Sequence, residues 1–342
     1  MKSVIVNGYR SFANAEKPMP EAGGKWVTIK VKNCAICGSD NSFWTGLAGG
    51  DDFTLGHEFS GYIEDPGEYD FKKGEKVCAA EFNSCGECEF CKNGQEQLCA
   101  QMMAENPGVS APGAYGEYVR VRGDYVIRMP EDMPVILGSI CEPVAVSLHG
   151  VKYLNIKKGE DVLVSGNGPI GIYAALCAKL LGAGKVIMTG RSESRVAFCN
   201  KFDFVDKCLS VKDPDYEKKL KELMPVGGFK HIIDCVGVDN YDELISLGSS
   251  GVTIVVLGMH ASEAKFSTIP LFLKEGSIRT GLYFSWEDYK HAFELIKDNQ
   301  DSFMSTITSV IPAEAEDVQK AFEKLFTSGS NDECKIVIEH KD

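Results

Sequence analysis

Short runs in which apolar and polar residues alternate dominate the first 145 positions of the chain. They include KWVTIKVKN, FSGYIED, EKVCAAEF and GEYVRV, separated by stretches rich in glycine, proline and acidic residues. Alternation with a period of two is typical of strands that bury one face, and several such runs in succession are typical of a β domain. The pattern therefore predicts a partly barrel-like β domain over residues 1–145.

The pattern of apolar residues changes at about Asp161, where apolar strands begin to alternate with helical patterns. DVLVSG precedes PIGIYAALCAKLLG, KVIMTG precedes SRVAFCNKF, and HIIDCVG and GVTIVVLG follow later. This alternation predicts βαβ units on a parallel sheet buried on both faces, over residues 146–283. Residues 284–342 carry two longer helical patterns and the strand-like CKIVIEH, and the pattern alone leaves open to which domain they belong.

The amino-acid composition and net charge argue against several classes of function. The chain has 342 residues, of which 44% are hydrophobic and 25% are charged, as expected of a soluble globular protein with two domains. Its net charge of −13 argues against nucleic acid or an anionic membrane as a partner. No apolar run has the length of a signal peptide or a membrane span, so we expect a cytoplasmic protein whose thirteen cysteines are reduced.

A glycine motif follows the first strand of the predicted parallel sheet. VSGNGPIG has Gly166, Gly168 and Gly171 in G-x-G-x-x-G spacing, with Pro169 and Ile170 inside the motif. The first glycine permits a tight turn, the second admits a pyrophosphate to the backbone, and the third lets the helix pack on the strand. Backbone N–H groups at the start of the helix supply the anion site. The motif predicts a dinucleotide site.

The end of the second strand bears on the choice of cofactor. An NAD site normally has Asp or Glu there, about 20 residues past the glycines, to bind the ribose hydroxyls. Here Gly190 is followed by Arg191, Ser192 and Arg195. Guanidinium groups in place of a carboxylate suit a ribose 2′-phosphate, which favours NADP(H) over NAD(H). The alternative is that Arg191 is a solvated charge at a turn.

Four cysteines lie within fifteen residues of the β-rich part. Cys85, Cys88, Cys91 and Cys99 follow C-x2-C-x2-C-x7-C in the stretch SCGECEFCKNGQEQLCA. A disulfide cluster and a metal site compete, but disulfides at two-residue separations strain the backbone, whereas four thiolates can surround one Zn²⁺. Because all four positions are filled, we expect a structural zinc site.

A second set of residues resembles a catalytic metal site. NCAICGSDNSFW supplies Cys37 and Ser39, LGHEFSG supplies His57 and Glu58, and ICEPVAVSLHG supplies Glu142. One thiolate, one imidazole and one carboxylate are typical of a zinc site that leaves a position for water or substrate. Cys34 and Cys37 also form a C-x-x-C pair, but no thioredoxin-like βαβ unit surrounds it.

Taken in order, CGSD, GHEFSG, the four-cysteine stretch, CEPVAVSLHG and GNGPIG resemble the zinc-dependent medium-chain dehydrogenase/reductase family. The likeness covers nearly the whole chain and is greatest to the sorbitol (polyol) dehydrogenase branch. It implies an α/β protein with a GroES-like catalytic domain, an inserted Rossmann domain, and residues 284–342 returning to the catalytic domain. It also implies a homodimer or homotetramer.

The resemblance implies the roles of the site residues as well. Cys37, His57 and Glu58 would hold the catalytic zinc, with Glu142 as fourth ligand or as partner of a metal-bound water. Ser39 would take the hydroxyl position beside the reacting oxygen. The implied reaction is hydride transfer between a secondary alcohol or polyol, or the matching ketone, and the nicotinamide.

Two departures and two rivals accompany this prediction. Ser42 replaces the histidine that usually ends the family's proton relay, and RTGLYFSW lacks the Arg-Tyr pair of the polyol branch, leaving only Tyr283 and Phe284 nearby. The rivals are a zinc-independent quinone or enoyl reductase and a nucleotide-binding relative without turnover. The CGSD and GHE motifs oppose the first, and retention of the catalytic ligands opposes the second.

Overall fold

The computed structural model describes residues 1–259, 263–328 and 332–341. The chain divides into two compact units. The first unit contains residues 1–142, 285–328 and 333–341, and the second contains residues 143–284.

In the described part of the chain, the strands are β1 (Lys2–Val6), β2 (Phe12–Glu16), β3 (Trp26–Ala35), β4 (Glu58–Asp65), β5 (Lys76–Ala79), β6 (Tyr118–Arg122), β7 (Val126–Arg128), β8 (Val162–Ser165), β9 (Val186–Gly190), β10 (Lys207–Ser210), β11 (Phe229–Asp234), β12 (Gly248–Val256), β13 (Ser277–Thr280), β14 (Ile307–Pro312) and β15 (Lys335–Glu339). The α-helices are α1 (Asp40–Trp44), α2 (Glu89–Lys92), α3 (Cys141–Leu154), α4 (Pro169–Leu180), α5 (Glu193–Cys199), α6 (Tyr216–Leu223), α7 (Asp242–Leu247), α8 (Thr268–Leu273), α9 (Trp286–Asp298), α10 (Gln300–Met304) and α11 (Ala315–Phe326). Three 3₁₀ helices join them, Glu96–Leu98, Gly123–Tyr125 and Val135–Ile140.

The first unit is built around a seven-stranded sheet. Its order is β14-β15-β3-β4-β5-β7, and β6 pairs with β3 as well. The ten-residue β3 is the longest of these strands, and its antiparallel partners include both β4 and β15. Ala35, at the end of β3, pairs with Glu58 on one side and with Val337 on the other. The last strand of the chain therefore reaches the same sheet end as the first residue of β4.

Aromatic side chains fill the core of the first unit. Trp44, Phe59, Tyr115 and Phe322 are at most 1% exposed and pack in one cluster with the valines and isoleucines of the sheet. Trp44 and Phe43 follow the CGSD motif, and Trp44 contacts the Phe322 ring edge-on at 5.6 Å. Phe43 stacks on Phe53. Both side chains therefore contribute to packing around the end of α1.

The second unit is a six-stranded parallel sheet of order β10-β9-β8-β11-β12-β13. This is the doubly wound order 3-2-1-4-5-6 of the Rossmann fold, and the strand order reverses between β8 and β11. All residues of β8 and β9 are buried, as expected for central strands covered by helices on both faces. The predicted parallel sheet is confirmed, and its carboxyl edge at β8 carries the glycine motif.

Contrary to the expectation from the sequence, one apolar segment of the described residues has the length and composition of a membrane span. It covers Val135–Leu154, with a mean hydropathy of 1.3, and 78% of its window is buried within the fold. Its residues include Leu137, Ile140, Val144 and Leu148, all 0% exposed. Its apolar character is therefore accounted for by packing as a core helix.

Candidate active site and metal centres

The four cysteines of SCGECEFCKNGQEQLCA lie together in the first unit. Their sulfurs are all within 4.8 Å of one another, and we call them the four-cysteine group. The Sγ of Cys91 is 3.8 Å from that of Cys85 and 3.5 Å from that of Cys88. A disulfide requires about 2.05 Å, whereas sulfurs that are about 2.3 Å from a tetrahedral zinc are separated by about 3.8 Å. The spacing therefore fits a metal site and not cross-links.

Backbone N–H groups surround the sulfurs of this group. The amides of Cys88 and Cys91 donate to the sulfurs of Cys85 and Cys88 at 3.3 and 3.5 Å, and the amide of Gln101 donates to Cys99 at 3.4 Å. Backbone donors from Glu87 and Cys88 lower the pKa of the Cys85 thiol to about 6. Such donors stabilise thiolates, which are the form that binds a metal.

A second group brings together Cys37, His57 and Glu58, which we call the catalytic metal group. One ligand atom from each lies within 4.8 Å of the other two. Cys37 follows β3, His57 precedes β4, and Glu58 is the first residue of β4 opposite Ala35. Because β3 and β4 are adjacent and antiparallel, the two motifs meet although twenty residues separate Cys37 from His57 in the chain.

Asp40 contacts two members of the catalytic metal group, Cys37 and His57. It is 0% exposed, and its Oδ2 accepts hydrogen bonds from the Cys37 amide and the Tyr115 hydroxyl, each at 3.0 Å. Its Oδ1 lies 3.6 Å from Nδ1 of His57. The Nδ1 of His57 therefore faces a carboxylate, leaving Nε2 as the ligand atom, as in many histidine–metal sites. The sequence motif contained Asp40, but its role was not predicted.

The surroundings of His57 favour positive charge. Burial opposes protonation of the imidazole, but the thiolate of Cys37 and the carboxylates of Asp40 and Glu142 outweigh it and raise the His57 pKa well above its usual value. Nδ1 of His57 and Oδ1 of Asp40 are buried and have no hydrogen-bond partner among the described residues. A thiolate, an imidazole and a carboxylate with orphaned polar atoms around them fit a zinc ion.

Lys335 is a member of the site that the sequence analysis missed. Its Nζ donates to both carboxylate oxygens of Glu58, at 2.6 and 2.8 Å, and to the carbonyl of Ile36 at 3.1 Å. Burial lowers the pKa of Lys335, but Glu58 and Cys37 outweigh burial and raise it. The available sequence signal was a lysine within the apolar run CKIVIEH, because a charge inside a buried strand requires a partner.

Glu142 and Glu81 lie near the catalytic metal group but outside it. Glu142, in the first turn of α3, is 6% exposed, and burial followed by the charges of Glu81 and Glu58 raises its pKa well above the usual value. Glu81 follows β5 and is 1% exposed. The catalytic metal group among the described residues does not include Glu142, which is a neighbour of its three members.

Ser39 and Ser42 belong to the segment around α1. The Oγ of Ser39 donates to the Cys37 sulfur at 3.2 Å, so this hydroxyl lies beside a member of the catalytic metal group. Ser42 lies within the five residues of α1 and is half-buried. His149, offered by the same motif as Glu142, packs against Tyr153 in the second unit, with ring centroids 4.6 Å apart.

The glycine motif forms the turn between β8 and α4. Gly166 has φ of +112°, which favours glycine, and a Cβ on Gly171 would lie 2.1 Å from the carbonyl oxygen of Gly166. Gly168 caps α4, with Pro169 and Ile170 as its first two residues. The first-turn N–H groups of this twelve-residue helix lack intrahelical acceptors and so can bind an anion.

The residues after β9 lie close to this turn. A Cβ on Gly190 would meet the side-chain amide of Asn167 at 2.1–2.3 Å, so Asn167 occupies the space above the strand end. Arg195 brings Nη1 to 3.5 Å from the Cβ position of Gly168. Ser192 caps α5 by accepting from the Arg195 amide at 3.5 Å, and Arg191 is exposed.

Comparison with known proteins identifies the family. Residues 23–131 match the alcohol dehydrogenase GroES-like domain, and residues 169–298 match the zinc-binding dehydrogenase family. The sorbitol dehydrogenase of Halalkalibacterium halodurans is 30% identical over 317 residues, which are 90% of this chain and 92% of that protein. The L-threonine 3-dehydrogenase of Mesorhizobium japonicum is 34% identical over 257 residues, which are 71% and 72% of the two chains.

Solved structures show the same fold. An alcohol dehydrogenase from E. coli CFT073 complexed with NADH has a TM-score of 0.88 at 22% identity, and 99% of each chain is covered. A zinc-binding dehydrogenase from Sinorhizobium meliloti 1021 bound to NADP has a TM-score of 0.86 at 24% identity, with coverage of 99% and 98%. These likenesses confirm the predicted fold class.

The chain belongs to the zinc-dependent medium-chain dehydrogenase/reductase family, near the polyol dehydrogenases. The enzyme class predicted from the motifs, an NAD(P)-dependent alcohol or polyol dehydrogenase, is therefore confirmed.

Proposed function

We propose that this chain is an NADP(H)-dependent zinc oxidoreductase that interconverts a secondary alcohol or polyol with the matching ketone. The cofactor preference rests on the end of β9, where Gly190 leaves no carboxylate for the ribose hydroxyls and Arg191 follows. The amide of Asn167 lies where a side chain at position 190 would begin. Arg191 and Ser192 would bind the 2′-phosphate, and Arg195, beside Gly168, would add positive charge at the glycine turn.

The proposed metal assignment uses both groups. Cys37, His57 and Glu58 would hold the catalytic zinc, with Glu142 as fourth ligand or as partner of a metal-bound water, and the four-cysteine group would hold a structural zinc. When bound, the catalytic zinc supplies Lewis-acid stabilisation of an alkoxide. Asp40 orients His57, and Lys335 fixes the carboxylate of Glu58.

Ser39 would accept the proton of the substrate hydroxyl and release its own hydroxyl proton to solvent. Its Oγ is 3.2 Å from the Cys37 sulfur, and Ser39 is exposed. The hydroxyl can therefore contact both a substrate oxygen beside the metal group and solvent. This hydroxyl donates to the sulfur, and rotation about its side chain would turn it to a substrate oxygen. Ser42, where the family usually has histidine, offers a hydroxyl but no imidazole for the next step.

The names of the relatives support the proposed substrate class. The names of the two relatives above describe oxidation of a polyol and of a hydroxy-amino acid, both secondary alcohols. We propose a polar secondary alcohol as the substrate of this chain. Reduction of the ketone by NADPH would be the reverse reaction.

The test compares kcat/KM for NADP⁺ and NAD⁺ over a panel of secondary alcohols and polyols. We expect NADP⁺ to be preferred, and Arg191→Ala to lower kcat/KM for NADP⁺ by roughly 10- to 100-fold while changing that for NAD⁺ little, because one or two charge-assisted hydrogen bonds are lost. Lys221→Ala, on exposed α6, is the matched charge control. An NAD⁺ preference that Arg191→Ala leaves unchanged would overturn the assignment.

We also propose a cytoplasmic homo-oligomer, a dimer or tetramer. None of the thirteen cysteines, all of them among the described residues, forms a disulfide, which suits a reducing compartment. Ile269, Phe272 and Leu273 of α8 are 69–78% exposed, next to β13 at the edge of the parallel sheet. Exposed apolar groups beside an unpaired edge are typical of a subunit contact. Light scattering would measure the mass, and a monomer at micromolar concentration would contradict the proposal.

A further inference from the structure

Glu81 follows β5 and is positioned by the pairing of β5 with β4. Ser60 pairs with Cys78, Gly61 with Val77 and Tyr62 with Lys76, so paired residue numbers always sum to 138. Continued past the last pair, the same register puts Glu81 opposite His57. The backbone is held there by the Ala80 amide, which donates to the carbonyl of Tyr125 at 3.0 Å. The charges of His57 and Glu58 act on the Glu81 carboxyl, which places it near the catalytic metal group.

The carboxyl group of Glu81 has no partner within the described residues. The side chain is 1% exposed, and both carboxylate oxygens are buried without a hydrogen bond. The charges that act on it are His57 and Glu58, while Glu142 in turn responds to Glu81. Lys335, the buried cation of the same region, already donates to both oxygens of Glu58. Within the described residues no other side chain donates to the Glu81 carboxyl, so a bound molecule can supply a donor.

Burial strengthens the case for an external donor. A buried polar group without a hydrogen bond is costly, and a carboxylate is more costly than most. Burial raises the pKa of Glu81, and the charge of His57 opposes this in part. A leucine or phenylalanine would fill the same space without this cost, which indicates that the carboxyl group has a use at this position.

We propose that Glu81 determines substrate specificity by accepting a hydrogen bond from a second hydroxyl on the carbon next to the reacting carbinol. The inference rests on the proposed function and narrows its substrate to vicinal diols and polyols. A hydroxyl donor to a carboxylate forms a charge-assisted bond, whereas an ammonium donor must also be stripped of its hydration. An alcohol without the second hydroxyl would leave the buried carboxylate unpaired, and such sites reject the deficient analogue strongly.

The experiment compares 2,3-butanediol with 2-butanol on the zinc-loaded enzyme with NADP⁺. We expect the wild type to favour the diol in kcat/KM by at least ~10-fold. Glu81→Leu should remove most of that preference by raising the KM for the diol, while turnover of 2-butanol stays or rises. Glu81→Gln keeps a carbonyl acceptor and should retain part of the preference. Glu64→Gln, on the same β4–β5 pair but facing Lys73, is the control.

A binding measurement separates this inference from the proposed function. Calorimetry of the diol and of 2-butanol with the zinc- and NADPH-loaded protein needs no turnover, and zinc content and circular dichroism establish that each variant is folded. If no alcohol is oxidised, the proposed function fails, but diol binding that is tighter than 2-butanol binding and is lost in Glu81→Leu still supports the role of Glu81. If Glu81→Leu changes the affinities for the diol and for 2-butanol equally, the proposed role of Glu81 is overturned. If 3-amino-2-butanol is preferred over the diol and this preference is abolished in Glu81→Gln, the donor to Glu81 is an ammonium group, and the proposed hydroxyl donor is wrong.

Discussion

The ammonium of Lys335 lies between the two carboxylate oxygens of Glu58, at 2.6 and 2.8 Å, in a site where the two side chains are 3% and 0% exposed. Glu58 is also one of the three residues that the structure brings together as a metal group. Its carboxylate charge is therefore shared between a fixed cation of the chain and any metal at Cys37 and His57. This sharing lowers the net negative charge offered to the metal.

Replacing Lys335 with methionine should destabilise the metal-free protein. The change leaves Glu58 as a buried charge without its partner, which typically costs about 3–5 kcal/mol of unfolding free energy. Denaturant unfolding in the presence of a chelator measures this loss, and added zinc should recover more stability in Lys335→Met than in the wild type. Lys335→Arg, which keeps the charge, is the control. Equal unfolding free energies of Lys335→Met and the wild type would show that the Lys335–Glu58 ion pair is not required for stability.

Lys335 also shows what sequence reasoning reaches and what it does not. Cys37, His57 and Glu58 were found because they stand in short motifs, and their meeting follows from the antiparallel pairing of β3 with β4. Lys335 is 277 residues from Glu58, and no local pattern links them. Their contact depends on β15 joining the far side of β3, a pairing between the two ends of the first unit.

Glu81 and Asn167 were missed for a related reason. Glu81 stands two residues after β5 with no motif around it, and only the folded chain brings it near the charge of His57. Asn167 is at one of the unspecified positions of the glycine motif, so the motif assigns it no role. In the structure its amide occupies the space at Gly190. The parallel sheet, by contrast, was predictable, because buried central strands and intervening helices leave a strong periodic signal.

Removing one sulfur from the four-cysteine group should cost one zinc per chain. In Cys88→Ser we expect one equivalent of zinc instead of two, because a hydroxyl is a poor replacement for a thiolate ligand. The loop should then become sensitive to limited proteolysis, since it has few buried side chains of its own. Cys177→Ala, a buried cysteine of α4, serves as the control with two zinc ions. Two equivalents in Cys88→Ser would contradict the structural zinc site.

Adding one methyl group at Gly171 should damage the nucleotide site. The new Cβ would lie 2.1 Å from the carbonyl oxygen of Gly166, so the start of α4 must move away from the turn after β8. We expect Gly171→Ala to weaken NADPH binding by at least ~10-fold, because the helix N-terminus no longer approaches the pyrophosphate. Fluorescence titration measures the effect. Gly50→Ala, where a Cβ meets nothing within 4 Å, provides the comparison, and an unchanged Kd in Gly171→Ala would refute the close packing.

Glu160 should make the second unit sensitive to acid. Lys230 at 2.8 Å, the Lys157 amide at 2.8 Å and His231 at 2.7 Å hold its carboxylate and lower its pKa from 4.5 to about 2. A carboxylate with a lowered pKa contributes stability that is fully present above about pH 4.5 and is lost as the pH falls towards about 2. Glu160→Gln should therefore lower the urea midpoint at pH 7, and its difference from the wild type should shrink as the pH is lowered through that window. Glu222→Gln, on the exposed face of α6, should show no such convergence. A difference that stays constant between pH 7 and pH 3 would mean that the effect of the substitution comes from packing and not from the charge of Glu160.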